Sequence, residues 1–313
     1  MKRFIASVSL FSLIVLLAGG AFEWSIRRIP NLYAFKDSVM TARGAEFSTL
    51  IIGSSVAHAG IDASIFPKPQ ETFNLAITGE LVPYDYMVFQ KYAPNLRRLR
   101  NLVWGIAFQT LWMDDRLTDD NTNQNGHRIY MDIDQTDHFT DHLEVLVLKS
   151  LAFRKFSQHY LAGMDTKNCD AWGLNTGLPQ EKVKASWVEK CEEKAADHKK
   201  LMLANPGVFE ENEQRIREVA AYCNEHNVQL FLVVPPVAAR YDRACDPTLK
   251  QKMRHTLSAI AADYPNVVFL DYFADTRFTD ADFFDCNHLT CDHGAQKFTR
   301  LLLQDMKNHG FKE

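Results

Sequence analysis

Five short apolar runs punctuate this chain, at residues 50–52, 72–76, 101–107, 228–234 and 266–270. Each is too brief for a helix and is bounded by glycine, proline or polar residues, the pattern of a strand buried on both faces. Helical spacing fills much of the sequence between and after them: residues 83–92, 209–225, 247–262 with Asp246 as N-cap, and 295–308. Strands alternating with helices predict an α/β fold, a mostly parallel five-stranded sheet covered by helices on both faces. The 313 residues, 46% of them apolar, suffice for one large domain or two smaller ones. A net charge of −4 with no basic stripe argues against a nucleic-acid partner.

The N-terminus carries an address. Lys2 and Arg3 precede nineteen uncharged residues, Phe4 to Phe22. At 1.5 Å per residue such a run spans about 28 Å, close to the thickness of a hydrocarbon core. A signal peptide cleaved between Ala18 and Ala21 competes with an uncleaved anchor whose Trp24 sits at the interface. The anchor is the reading taken, with residues 1–28 as anchor and juxtamembrane segment and 29–313 as the body. Either reading places the body outside the cytoplasm, periplasmic or at the cell surface, and secreted if the segment is cleaved. All six cysteines (Cys169, Cys191, Cys223, Cys245, Cys286 and Cys291) follow residue 168. An even count in an exported chain predicts disulfides, and sequence neighbours are expected to pair, chiefly Cys286 with Cys291. Cys169 and Cys191 would tie together the least regular region.

That region, residues 111–206, interrupts the alternation. Asp114 to Asn125 reads as a long polar loop whose spacing does not match a calcium loop. Glu144 to Leu161 and Glu181 to Leu203 each read as a helix. The whole is expected to be a helical insertion capping the site.

Candidate chemistry begins at the end of the first strand, Leu50-Ile51-Ile52-Gly53-Ser54-Ser55. In open α/β sheets ligands bind beyond the carboxyl ends of the strands, where Ser55 stands. Taken alone, Gly-Ser-Ser is ordinary turn chemistry. A serine needs a base to take its proton and a carboxylate to orient that base. Asp285 and His288, three apart in a turn before the last helix, can face the same way and supply both. As plain loop residues they would cap that helix, as Asp292 equally could. Oxyanion donors are available at Ser55 N–H and at Gly79, whose missing side chain lets its N–H approach substrate; Gly79 is equally a simple turn glycine. Cys286, His288, Cys291 and His293 are zinc-type residues, although their spacing makes one tetrahedral site awkward. His58 is ranked as a substrate contact or surface histidine.

Gly53-Ser54-Ser55, Asn74 through Gly79, and Asp285-Cys286-Asn287-His288 together resemble, in order and spacing, the motifs of the SGNH (GDSL-like) hydrolase superfamily. The resemblance covers roughly residues 48–110 and 228–305. It implies a flavodoxin-like three-layer α/β/α sandwich, Ser55 as nucleophile, His288 as base, Asp285 as its orienter and Gly79 as an oxyanion donor. The sequence departs from the family at Ser54, where an aspartate is usual, and at Ala107-Phe108-Gln109-Thr110. There Gln109 stands for the amide donor that an asparagine normally provides. The chain is similar to a membrane-anchored bacterial branch that acylates or deacylates envelope or exopolysaccharide polymers.

The expectation is therefore a serine esterase or O-acyltransferase needing no cofactor and no metal. Its substrate would be an acylated glycan or small acyl ester, with the membrane and envelope-complex proteins as partners. The rival is a catalytically weak module that binds polysaccharide or scaffolds such a complex.

Overall fold

The computed structural model describes residues 1–117, 122–134 and 136–313. Five strands form one sheet: β1 (Thr49–Gly53), β2 (Thr72–Asn74), β3 (Asn101–Gly105), β4 (Gln229–Val234) and β5 (Val267–Asp271). The helices are α1 (Lys2–Arg27), α2 (Leu32–Arg43), α3 (Ser55–Gly60), α4 (Val82–Tyr92), α5 (Thr122–Met131) and α6 (Glu144–Leu148). They continue with α7 (Ser150–Phe156), α8 (Cys191–Met202), α9 (Val208–Glu225), α10 (Ala239–Ala244), α11 (Pro247–Asp263) and α12 (Gly294–Asn308). The chain divides into two compact units, residues 1–37 with 120–168 and residues 38–119 with 169–313.

The second unit holds the sheet, ordered β2-β1-β3-β4-β5 with every neighbouring pair parallel. The predicted α/β fold is thus present. β1 to β4 are buried at every position, which is why the interiors of β1, β3 and β4 read as apolar runs. Gly53 and Gly105 lie side by side at the ends of β1 and β3. Gly53 has φ +131°, and a Cβ there would stand 2.2 Å from the Gly105 carbonyl oxygen. A Cβ on Gly105 would stand 2.5 Å from that of Ala57, so this glycine lets α3 settle directly on β3. Asp246 caps α11 as expected, accepting from Thr248 N and Leu249 N.

The first unit gathers α1, α5, α6 and α7. α1 is long and apolar enough to cross a membrane, and none of its apolar window is buried. Its 26 residues span about 39 Å. Its last turns are packed: Phe22 stacks on Phe153 and Phe156, and the Glu23 carboxylate accepts from the backbone N–H groups of Glu144 and Val145. The single helix expected over 144–161 is instead α6, a break at Lys149 (φ +48°), α7 and a π-helical turn over Ser157–Leu161. Helical periodicity alone gives no sign of that break. The polar loop expected over 114–125 includes residues 118–121, outside the described residues; Thr122 already starts α5. The helix expected over 181–203 begins as separate 3-10 turns and becomes α-helical at Cys191.

Candidate active site

β1 delivers Gly53 to the carboxyl edge of the sheet, and the chain turns at once into α3 with Ser54 as N-cap and Ser55 as first helical residue. The two serines then part company. Ser54 is 3% exposed and its Oγ has no hydrogen-bond partner among the described residues. Ser55 Oγ lies 2.7 Å from His288 Nε2.

His288 belongs to a loop that closes on itself. Phe283 and Leu289 form an isolated antiparallel bridge, and Phe284 N donates to the His288 carbonyl. At its tip Asp285 Oδ1 accepts from the backbone N–H groups of Asn287 and His288. Those bonds fix the carboxylate so that His288 Nδ1 lies 2.9 and 3.0 Å from its two oxygens. Facing a carboxylate, Nδ1 carries the proton and donates, which leaves Nε2 to accept from the Ser55 hydroxyl. Burial works against the Asp285 charge. The hydrogen bond and charge of His288, with the Lys194 ammonium, outweigh it and hold the carboxyl well below the ordinary range.

The second strand brings Gly79 toward the same place. Beyond β2, Leu75 N donates to Ile51 O and Ile77 N to Gly53 O, so the backbone tracks β1 to its end. Thr78 and Gly79 therefore emerge beside Ser54 and Ser55, and Gly79 has φ +83°, a conformation that favours glycine. Asn74 is fully buried and binds three backbone groups. Its Nδ2 donates to Ala57 O and Ile61 O at the far end of α3, and its Oδ1 accepts from Ala76 N. Gln109 stands half-exposed in the 3-10 turn Phe108–Trp112 after β3. Ser55, Asp285 and His288 are thus brought together, and Gly79 follows the stretch that tracks β1 to its end.

His58 departs from expectation. It is 2% exposed, and its Nδ1 lies 2.9 Å from Thr78 Oγ1, so it braces the Gly79 loop from within instead of sitting at the surface. Asp292 does not cap α12; its carboxylate accepts from Gln180 N, and Thr290 Oγ1 takes the Gly294 N–H. The four zinc-type residues take separate partners. His288 faces Ser55 and Asp285, His293 faces Asp282, Cys286 donates to the Trp187 carbonyl, and Cys291 packs with Leu174 and Ala295. The expected pairing of Cys286 with Cys291 is likewise not formed, because the turn sends one thiol toward Trp187 and the other toward Leu174. The other two neighbour pairs, Cys169 with Cys191 and Cys223 with Cys245, are also not joined in the structure, where all six cysteines are buried.

Two elements of the site are expected from the sequence only as parts of the capping insertion, with none of their contacts foreseen. The segment 172–180 runs as a strap from the end of β2 past α3 to the loop before α12. Trp172 O accepts from Asn74 N, Asn175 N donates to His58 O, Leu178 O accepts from Cys291 N, and Gln180 N donates to Asp292. A Cβ on Gly173 would stand 2.0 Å from the Asn74 carbonyl oxygen, so the strap needs glycine at that crossing. The other element is α8. Its Lys194 Nζ is 3.6 Å from Asp285 Oδ2, and its His198 Nδ1 is 2.6 Å from the buried Tyr241 hydroxyl. Burial and the nearby charges of Lys194 and His288 push His198 down to about 4. Repeating apolar periodicity could not reveal either, because a strap of main-chain bonds leaves no pattern and α8 meets the site through polar side chains.

No protein-family model matches the sequence, and no curated protein matches it. Among solved structures, one from Streptococcus pneumonia, described by reference to platelet activating factor, is similar over 96% of this chain and 98% of its own, with 12% identity and a TM-score of 0.39.

Proposed function

We propose that this protein is a serine esterase or O-acyltransferase of SGNH type. The observation that carries the reading is the relay from Asp285 through His288 to Ser55, with 2.9 Å and 2.7 Å between successive partners. His288 takes the Ser55 proton as Oγ attacks an acyl carbonyl, and Asp285 stabilises the imidazolium that results. The developing oxyanion falls to backbone N–H donors at Ser55 and Gly79. His288 then returns the proton to the leaving alkoxide. Water or a sugar hydroxyl resolves the acyl-serine by the same steps in reverse. The apolar N-terminal helix and the family resemblance support a place outside the cytoplasm, held at the membrane. They favour acyl esters of an envelope or secreted polysaccharide as substrate.

The test is labelling by a serine-reactive fluorophosphonate, together with hydrolysis of short aryl esters. The unaltered chain and Ser54→Ala should label at residue 55, and Ser55→Ala should not. Equal background labelling of all three would overturn the reading in favour of a binding or scaffolding module.

A further inference from the structure

The face that α8 turns toward the catalytic loop carries a contact that acyl transfer does not use. Cys191 opens α8 and is fully buried; Cys286 follows Asp285 in the loop and is 2% exposed. Both sulfurs lie against one acceptor, the Trp187 carbonyl, at 3.7 and 3.6 Å. The two thiols are also near enough for each to act on the other's titration. Three residues along α8 from Cys191 is Lys194, on Asp285, and four further is His198, within reach of the His288 charge. One helical face therefore meets the loop at three successive turns, with the sulfur pair at its N-terminal end.

We infer that Cys191 and Cys286 are joined by a disulfide in the mature protein, a covalent tether between α8 and the loop that bears Asp285 and His288. The pairing crosses 95 residues of sequence and departs from the neighbour pairing that spacing suggests. Cys291 is committed elsewhere, its N–H to Leu178 and its side chain to Leu174 and Ala295. The Cys286 carbonyl accepts from Ala238 N, which holds the loop backbone while its thiol faces α8.

The bond forms by thiol–disulfide exchange with an oxidising protein disulfide. One cysteine thiolate attacks that disulfide and a mixed disulfide results, releasing the first thiol of the oxidant. The second cysteine thiolate then displaces the other. Two protons and two electrons leave the pair, and the oxidant ends as a dithiol. Burial pushes the Cys191 thiol up to about 12 and raises Cys286 as well, so thiolate is scarce once α8 is seated. Oxidation therefore belongs to folding, before that closure. The finished bond, equally buried, resists soluble reductants until the chain unfolds.

The readout is the bond itself and does not depend on the esterase reading. The full chain, exported through an oxidising compartment, is alkylated in denaturant without reductant, digested and mapped by mass spectrometry. A Cys191–Cys286 peptide pair that separates only on reduction is the expected result. Cys191→Ser should leave Cys286 open to alkylation, and Cys286→Ser should leave Cys191 open. In the native unaltered chain, millimolar dithiothreitol should reduce the pair at least about tenfold more slowly than in denaturant. Alkylation of both residues in the exported chain, or a peptide joining Cys286 to Cys291, overturns the inference. The map of the unaltered chain decides even if a variant fails to fold.

Discussion

A hydroxyl in water is a poor nucleophile, and the adjacent Ser54 and Ser55 show how completely the surroundings decide its reactivity. Ser55 Oγ meets a histidine whose other nitrogen is held by a carboxylate; Ser54 Oγ is buried without a partner among the described residues. Ser55→Ala should lower ester hydrolysis by about 10³-fold or more, with the fold retained. Ser54→Ala removes a buried hydroxyl whose desolvation nothing offsets. It should leave the rate within a few-fold and thermal stability unchanged or raised by about 1 kcal/mol, read from the shift in Tm. Lys194 Nζ stands 3.6 Å from Asp285 Oδ2 and helps hold that carboxyl low.

At the scale of elements, what could be seen in the sequence follows from what each element buries. Parallel strands sealed on both faces are mostly apolar, so β1, β3 and β4 stand out as runs, and Ser55 and Gly79 gain meaning from following the first two strands. Asp285 and His288 are legible because a three-residue spacing in a turn brings both side chains to one side. α3 was not legible: six residues long, it owes its place to close packing on Gly105 and to Asn74, not to any periodicity. The break at Lys149 and the helical face of α8 escape for the same reason, since each is fixed by tertiary partners. Asn74→Ala tests that dependence. It takes the side-chain partner from Ile61 O and Ala76 N, while Ala57 O keeps the Ile61 N–H, and should cost about 2–4 kcal/mol, measured as a lower midpoint in urea without loss of the two-state transition.

For the whole molecule, His198 ties stability to acidity. Its value falls from the ordinary 6.5 in the unfolded chain to about 4 when packed against Tyr241. The unfolded state thus binds the proton more readily. The contribution is fully present above pH 6.5 and is lost as pH falls toward 4, up to about 3 kcal/mol before allowance for its partial exposure. His198→Gln should flatten that slope of Tm against pH.

The strap over residues 172–180 has a further consequence. Its stitches to Asn74, His58 and Cys291 run from backbone to backbone, and such bonds are indifferent to side-chain identity. Apart from Gly173, whose conformation is demanded by the crossing, Leu174, which packs with Cys291 and Ala295, and Asn175, whose Oδ1 takes the Gly177 N–H, the strap can change its side chains without undoing its path. The wall it presents beside Thr78 is therefore open to variation while the relay behind it stays fixed, so a change in what the site accepts can begin there at little cost to folding.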